Sequence, residues 1–373
     1  MKKVFYILPF IFLALSVTAQ DKDSTIPMGF ADSLRIVMEN TRNVDASVVG
    51  GGLTTAWGNM TLDVQERIQR QTRLMKKKGY KLRPHLVHYF GAIVNAVNVE
   101  GIDPVQFNNF LKVTDKVIEN YRTEKALIFF KTSREFFEHH TLFFDKGYRL
   151  YAKESEYTFE YLEFIPPPPD TLASLSDAPL DTWTDEPVDT VFHEPPPPWE
   201  TPAPQPSVEG AVIRFTKTDL NFVTRYDSVF LKNTKGIFSL TDNIFVGEEG
   251  KFDWSSALLN PDSVYCNFTV YNFNVKKPEL KVDLVKLNYV GKTPGFIPGK
   301  FEFRSQSRKD SVASSYPRFT SYQSNLDIKG LGGPNMRYTG GFSLQGPKIL
   351  SSSVDGAMST IEVSDSVGRK FRA

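Results

Sequence analysis

The side chains best suited to chemistry are few and poorly grouped. His139 and His140, beside Glu135 and Glu138, form the densest set of ligand-type residues in the 373-residue chain. A zinc protease would place two histidines four residues apart with a glutamate between, so that both face one side of a helix. Adjacent histidines point about 100° apart on a helix. His140 also falls on a stripe of phenylalanines, so the pair reads as structural. His85 and His88 stand three residues apart, which suits one helical face, but no acidic residue of the same helix completes a site. The stretch Gly50-Gly51-Gly52-Leu53-Thr54-Thr55 has the glycines of a phosphate loop but neither its Gly-Lys-Ser/Thr ending nor a preceding strand; it reads as a flexible loop. Cys266 is the only cysteine. That excludes an intramolecular disulfide framework and a cysteine-rich zinc site and suits a small buried strand residue. No catalytic residue, metal ligand or cofactor is assigned. A hydrolase built on a carboxylate pair needs no motif and stays as one alternative.

Two other groups of residues suit binding. Arg67, Arg70, Arg73, Lys76, Lys77, Lys78, Lys81 and Arg83 crowd into seventeen residues. Such a helix is either a solvated face or a contact for anionic lipid or anionic glycan. In the β-rich half, alternation puts Val264, Cys266, Phe268 and Val270 on one face, and Tyr265, Asn267, Thr269 and Tyr271 on the other. With Trp254 and Tyr289, the aromatic members Tyr265 and Tyr271 would make an exposed platform for a glycan, the second alternative.

Asp followed by Ser or Thr and an aliphatic residue occurs seven times, at Asp32, Asp170, Asp189, Asp227, Asp262, Asp310 and Asp365, against about one expected from composition. Asp and Ser close turns and Val opens strands, which suits the four Asp-Ser-Val copies of the β-rich half but not the copies at Asp170 and Asp189. The triplet resembles the acceptor motif of O-glycosylation systems in some Gram-negative periplasms. The resemblance implies modification at Thr171, Thr190, Ser228, Ser263 and Ser311.

The elements that must position these groups fall into four segments. Residues 1–19 read as a signal peptide: Lys2 and Lys3, an apolar run from Val4 to Val17, then Val17-Thr18-Ala19 with small or modest side chains at the cleavage positions. Export to the periplasm, cell surface or medium follows, with no transmembrane segment in the mature chain. Residues 20–165 carry helical stripes, among them Phe30–Thr41, Val64–Met75, Leu86–Val97, Phe107–Tyr121 and Phe129–His140. A small β appendage follows at Thr141–Phe144, Tyr148–Lys153 and Tyr157–Phe164. Residues 166–207 hold thirteen prolines and eight acidic residues with no Lys or Arg, the composition of a disordered acidic linker. Residues 208–373 alternate as antiparallel strands of a sandwich or elongated sheet. Arg369-Lys370-Phe371-Arg372-Ala373 is strand-like to the last residue, as in a piece of a longer protein.

The fold class is therefore α+β and multidomain, a helical bundle with a hairpin followed by an antiparallel β domain. Net charge is +1, too small for a dedicated nucleic-acid binder. The expected function is a non-catalytic, exported two-module scaffold or interaction protein with protein or glycan partners.

Overall fold

The structure, a computed structural model, describes residues 29–98, 103–145, 148–163, 208–223, 228–253, 264–276, 279–289, 295–304, 317–329, 335–345, 348–351, 360–365 and 367–372. The signal-peptide and proline-rich segments lie outside them. Among the described residues, six helices occupy the N-terminal half and antiparallel strands the C-terminal half. No helix among the described residues is long and apolar enough to cross a membrane. The chain divides into two compact units.

The first unit holds all six helices: α1 (Phe30–Glu39), α2 (Val44–Trp57), α3 (Leu62–Lys77), α4 (Val87–Asn98), α5 (Pro104–Asn120) and α6 (Thr123–His139). Local signals set their ends. The Asn43 side chain accepts from Ala46 N at 2.9 Å to start α2. Asp103 accepts from Val105 N at 2.8 Å ahead of Pro104 at the first position of α5, where proline loses nothing. His140 ends α6 in the left-handed region, with φ 52°. Pro84 lies inside a short wide turn, Leu82–Leu86, and α4 proper begins at the next residue, Val87.

The glycine run is helical and not a loop. Gly50 and Gly52 sit inside α2 because neighbouring helices approach too closely for a side chain. A Cβ on Gly50 would lie 3.1 Å from the Arg35 Cα of α1, and one on Gly52 would lie 2.7 Å from a Val94 methyl of α4.

After α6 the chain forms β1 (Thr141–Asp145) and β2 (Tyr148–Leu162), the expected hairpin, with Asp145 opposite Tyr148. The two aromatic runs read as separate strands are one, carried past Glu154 at φ 47°. Phe159 of β2 closes the helical core: its ring lies 5.5 Å from Phe110 and 5.3 Å from Phe137. Aromatic rings prefer such tilted and edge contacts to face-to-face stacking.

The chain re-enters this unit after the proline-rich segment. Strands β3 (Gly210–Val223) and β4 (Ser228–Ser239), which the sequence groups with the later strands, belong almost entirely with the helices. β3 is the hydrogen-bonded neighbour of β2. Arg214 Nε reaches Glu160 Oε2 at 2.9 Å, the Ser155 and Thr218 hydroxyls lie 2.6 Å apart, and the Tyr121 hydroxyl accepts from Ala211 N at 2.8 Å. The unit ends at Phe245, early in β5 (Ile244–Asp253), and includes residues 274–278.

In the second unit, the rest of β5 pairs with β6 (Val264–Phe268). β8 (Glu279–Tyr289), β9 (Gly295–Arg304), β10 (Arg318–Ser321), β13 (Phe342–Gln345) and β14 (Lys348–Ser351) follow in that order across the sheet. Cys266, Phe268, Leu287, Phe301, Phe319 and Phe342 are buried. β11 (Leu326–Lys329), β12 (Met336–Gly340), β15 (Thr360–Ser364) and β16 (Lys370–Arg372) make a separate four-stranded sheet. Within it, Arg337 and Asp327 form a two-pronged ion pair at 2.7 Å on each prong.

The single strand read over Val264–Phe273 is two strands. The chain bends at Thr269 and Val270 before β7 (Tyr271–Asn274), and the bend resets the alternation.

Candidate anion-binding groove

The stripe that packs α3 on α5 is Ile68, Gln71 and Met75, all fully buried. A glutamine on an apolar stripe must find partners, since a buried amide without them costs about 1–3 kcal/mol. Gln71 finds three. Its Nε2 donates to Leu111 O at 2.7 Å and to Asp115 Oδ1 at 2.8 Å, and its Oε1 accepts from the fully buried Tyr89 hydroxyl at 2.6 Å. Burial pushes the Tyr89 hydroxyl well above the ordinary phenol range, so it stays a donor.

Asp115 links this network to the surface. While Oδ1 takes the amide, Oδ2 lies 3.6 Å from Arg67 Nε and 3.4 Å from Arg70 NH2. The two arginines border a groove of about 840 Å³ along α3, with Arg73, Lys77, Asp63 and Glu66 also on its walls. Val64, Leu74, Gln69 and Asn108 complete the lining. Asp115 holds the two arginines with one oxygen and leaves the rest of each guanidinium fork open. Arg73 and Lys77 are exposed.

The basic run thus divides by job. Lys78 is structural: its Nζ donates to Ile118 O at 2.6 Å and Glu119 O at 2.7 Å, capping the carbonyl end of α5, where a cation also suits the helix dipole. Arg67, Arg70, Arg73 and Lys77 turn to the groove. The sequence marked the cations; it did not mark Asp115 or Tyr89. The available signal was Gln71, a polar residue on an apolar stripe.

A second polar cluster, centred on Arg134, carries no signature in the sequence. The Arg134 guanidinium of α6 grips Asp45 at 3.0 and 2.6 Å and lies 3.9 Å from Glu138, whose carboxylate accepts from Asn95 at 3.1 Å. The guanidinium lies where a Cβ on Gly91 would stand, 2.6 Å from Nε. It holds Asp45 below the usual carboxylate range. These contacts fasten α6 to α2 and α4.

The other sequence candidates fall as follows. His139 is exposed at the end of α6 with Glu138 at 3.3 Å, while the His140 ring meets Phe136 edge-on at 6.0 Å. His85 is buried, and its Nδ1 accepts from Lys81 N at 3.3 Å. Burial holds His85 and His88 below the ordinary histidine range. Among the described residues no three His, Cys, Asp or Glu side chains gather as a metal site. Cys266 is fully buried and its thiol is pushed far up by desolvation, away from the thiolate form a nucleophile needs.

Of the four aromatics read as a platform, Tyr265 is half-buried with Lys251 Nζ 4.3 Å above its ring. Tyr271 is buried, its ring 5.6 Å from Phe268. The bend before β7 turns it inward, so Tyr265 and Tyr271 do not share an exposed face. The backbone of Tyr289 pairs with Val264 and Gly295; its side chain and all of Trp254 lie outside the described residues. Ser228 is exposed at the start of β4. Thr171, Thr190, Ser263 and Ser311 lie outside the described residues. In the triplet at Asp365, the carboxylate Oδ1 accepts from Val367 N at 3.0 Å and Arg369 N at 2.7 Å, which is turn chemistry.

Comparison of the chain with protein-family models, curated proteins and solved structures returns no match.

Proposed function

We propose that the protein is an exported, non-catalytic interaction protein whose helical unit binds an anionic partner in the α3 groove. The observation that carries this is that Arg67, Arg70, Arg73 and Lys77 line one open groove, two of them oriented by Asp115. Guanidinium forks are suited to paired recognition of carboxylate, phosphate or sulfate oxygens. Export rests on the charged, apolar and small-residue segments of residues 1–19, and O-linked modification on the recurring Asp-Ser/Thr-aliphatic triplets. β2, as far as Tyr161, and β3, from Ala211, are neighbouring strands of one unit.

The test is titration of the mature chain with dextran sulfate at low and at raised salt. Binding should weaken as salt rises and fall about tenfold or more in Arg67→Gln/Arg73→Gln/Lys77→Gln. Equal binding by that variant would remove the groove from consideration. Peptide mass spectrometry of native-source protein should find Gln20 first and hexose-type mass on peptides bearing Thr171 and Thr190; unmodified peptides would return the triplets to turn chemistry.

A further inference from the structure

Resting on that reading, we infer that the groove takes an acidic oligosaccharide, a glycan carrying carboxylates along its length. The lining is not uniformly basic. Asp63 and Glu66 share it with the four cations, and Gln69 and Asn108 add amides. A polymer that is anionic and little else, such as a polyphosphate chain, is attracted by the four cations but loses part of that attraction to those two carboxylates, and so binds less tightly. An acidic sugar meets both signs. Its carboxylate takes the arginine forks, and its hydroxyls donate to carboxylates and amide oxygens.

Spacing agrees with a linear chain. Arg67, Arg70 and Arg73 follow one another at about 4.5 Å along the helix axis and Lys77 stands about 6 Å further, from 1.5 Å of rise per residue. A ligand with an anionic group recurring along an extended backbone can meet several of them at once. Val64 and Leu74, about 15 Å apart along the helix, add two separate apolar contacts to the lining, each suited to the C–H face of a sugar ring. An acidic peptide has few hydroxyl donors for Asp63 and Glu66.

The sign of one substitution separates the ligand classes. Glu66 is exposed on α3, and alanine is the best helix former, so Glu66→Ala leaves the fold intact. If Glu66 accepts from a sugar hydroxyl, Glu66→Ala weakens binding of an alginate oligosaccharide about threefold or more. If Glu66 only repels anions, the same change strengthens binding. The experiment is calorimetric titration of the mature full-length chain and of Glu66→Ala with alginate hexasaccharide, neutral dextran, dextran sulfate, poly-glutamate, duplex DNA and phosphatidylglycerol vesicles. The expected result is saturable binding of alginate at least tenfold tighter than any other probe, weakened by Glu66→Ala. Tighter binding of dextran sulfate, poly-glutamate, DNA or vesicles overturns the glycan inference and leaves the anionic groove standing. Alginate binding that Glu66→Ala strengthens or leaves unchanged overturns it too. No binding of any anionic probe overturns both readings.

Discussion

Gln71 shows how much a single residue discloses. It stands on a stripe whose other members are Ile68 and Met75, and it is fully buried. Its presence there costs free energy unless every polar atom is satisfied, and Tyr89, Leu111 and Asp115 satisfy it. Gln71→Leu should therefore destabilise the protein by about 1–3 kcal/mol in urea unfolding, because it strands the Tyr89 hydroxyl in the core. Tyr89→Phe added to Gln71→Leu should recover much of that loss, since replacing both partners by apolar groups is far cheaper than removing one. Additive losses in the double variant would show that the two side chains do not act as a pair. From sequence, the cations of the groove were plain because charge is written in the residue type. Asp115 was not, because its meeting with Arg67 and Arg70 is made by α3 packing on α5 across more than forty residues of chain.

At the scale of elements, stripes and caps were readable and close approaches were not. Asp103-Pro104 announced α5, and the phenylalanine stripe announced α6. The glycines of α2 pointed to a loop, since glycine is a poor helix former taken alone. What overrides propensity is the approach of α1 and α4, which only small residues permit. The three glycines should therefore behave differently. A Cβ on Gly51 meets nothing within 4 Å and the residue is exposed, so Gly51→Ala should stabilise the protein by about 0.5–1 kcal/mol. Gly50→Val should destabilise it by about 1–3 kcal/mol through overpacking against the Arg35 backbone, and Gly52→Val should do the same against Val94. Thermal unfolding reads all three, and a stabilising Gly52→Val would contradict the close approach of α2 and α4. The β6–β7 bend was hidden for a related reason. Val264 to Phe273 alternates well enough for one strand, and the break lies at Thr269 and Val270, both good strand formers.

At the scale of the whole molecule, the proline-rich segment marks a change of composition but not a simple end of the helical unit. β2 up to Tyr161 and β3 from Ala211 lie in the same compact unit as the helices, and the contacts joining them are mostly apolar or well hydrogen-bonded. The Phe215 ring of β3 lies 6.2 Å from Phe136 of α6 and 6.4 Å from Tyr157 of β2. Phe215 is 2% exposed. Arg214 pairs with Glu160, and Tyr121 accepts from Ala211 N. Thirteen prolines and eight acidic residues make residues 166–207 an expected first target for a broad-specificity protease. The two products should then stay together. On size exclusion the cut protein should elute as one species near the intact chain's position and separate only in denaturant. Salt should not release the fragments, because burial of rings such as Phe215 is little affected by screening. Phe215→Ala, at a cost of about 3–5 kcal/mol for a buried phenylalanine, should let the cut fragments part under native conditions while the uncut variant remains one chain. If the unsubstituted fragments elute apart as soon as the segment is cut, β3 and β4 do not hold to the helices, and the segment is a true tether between independent domains.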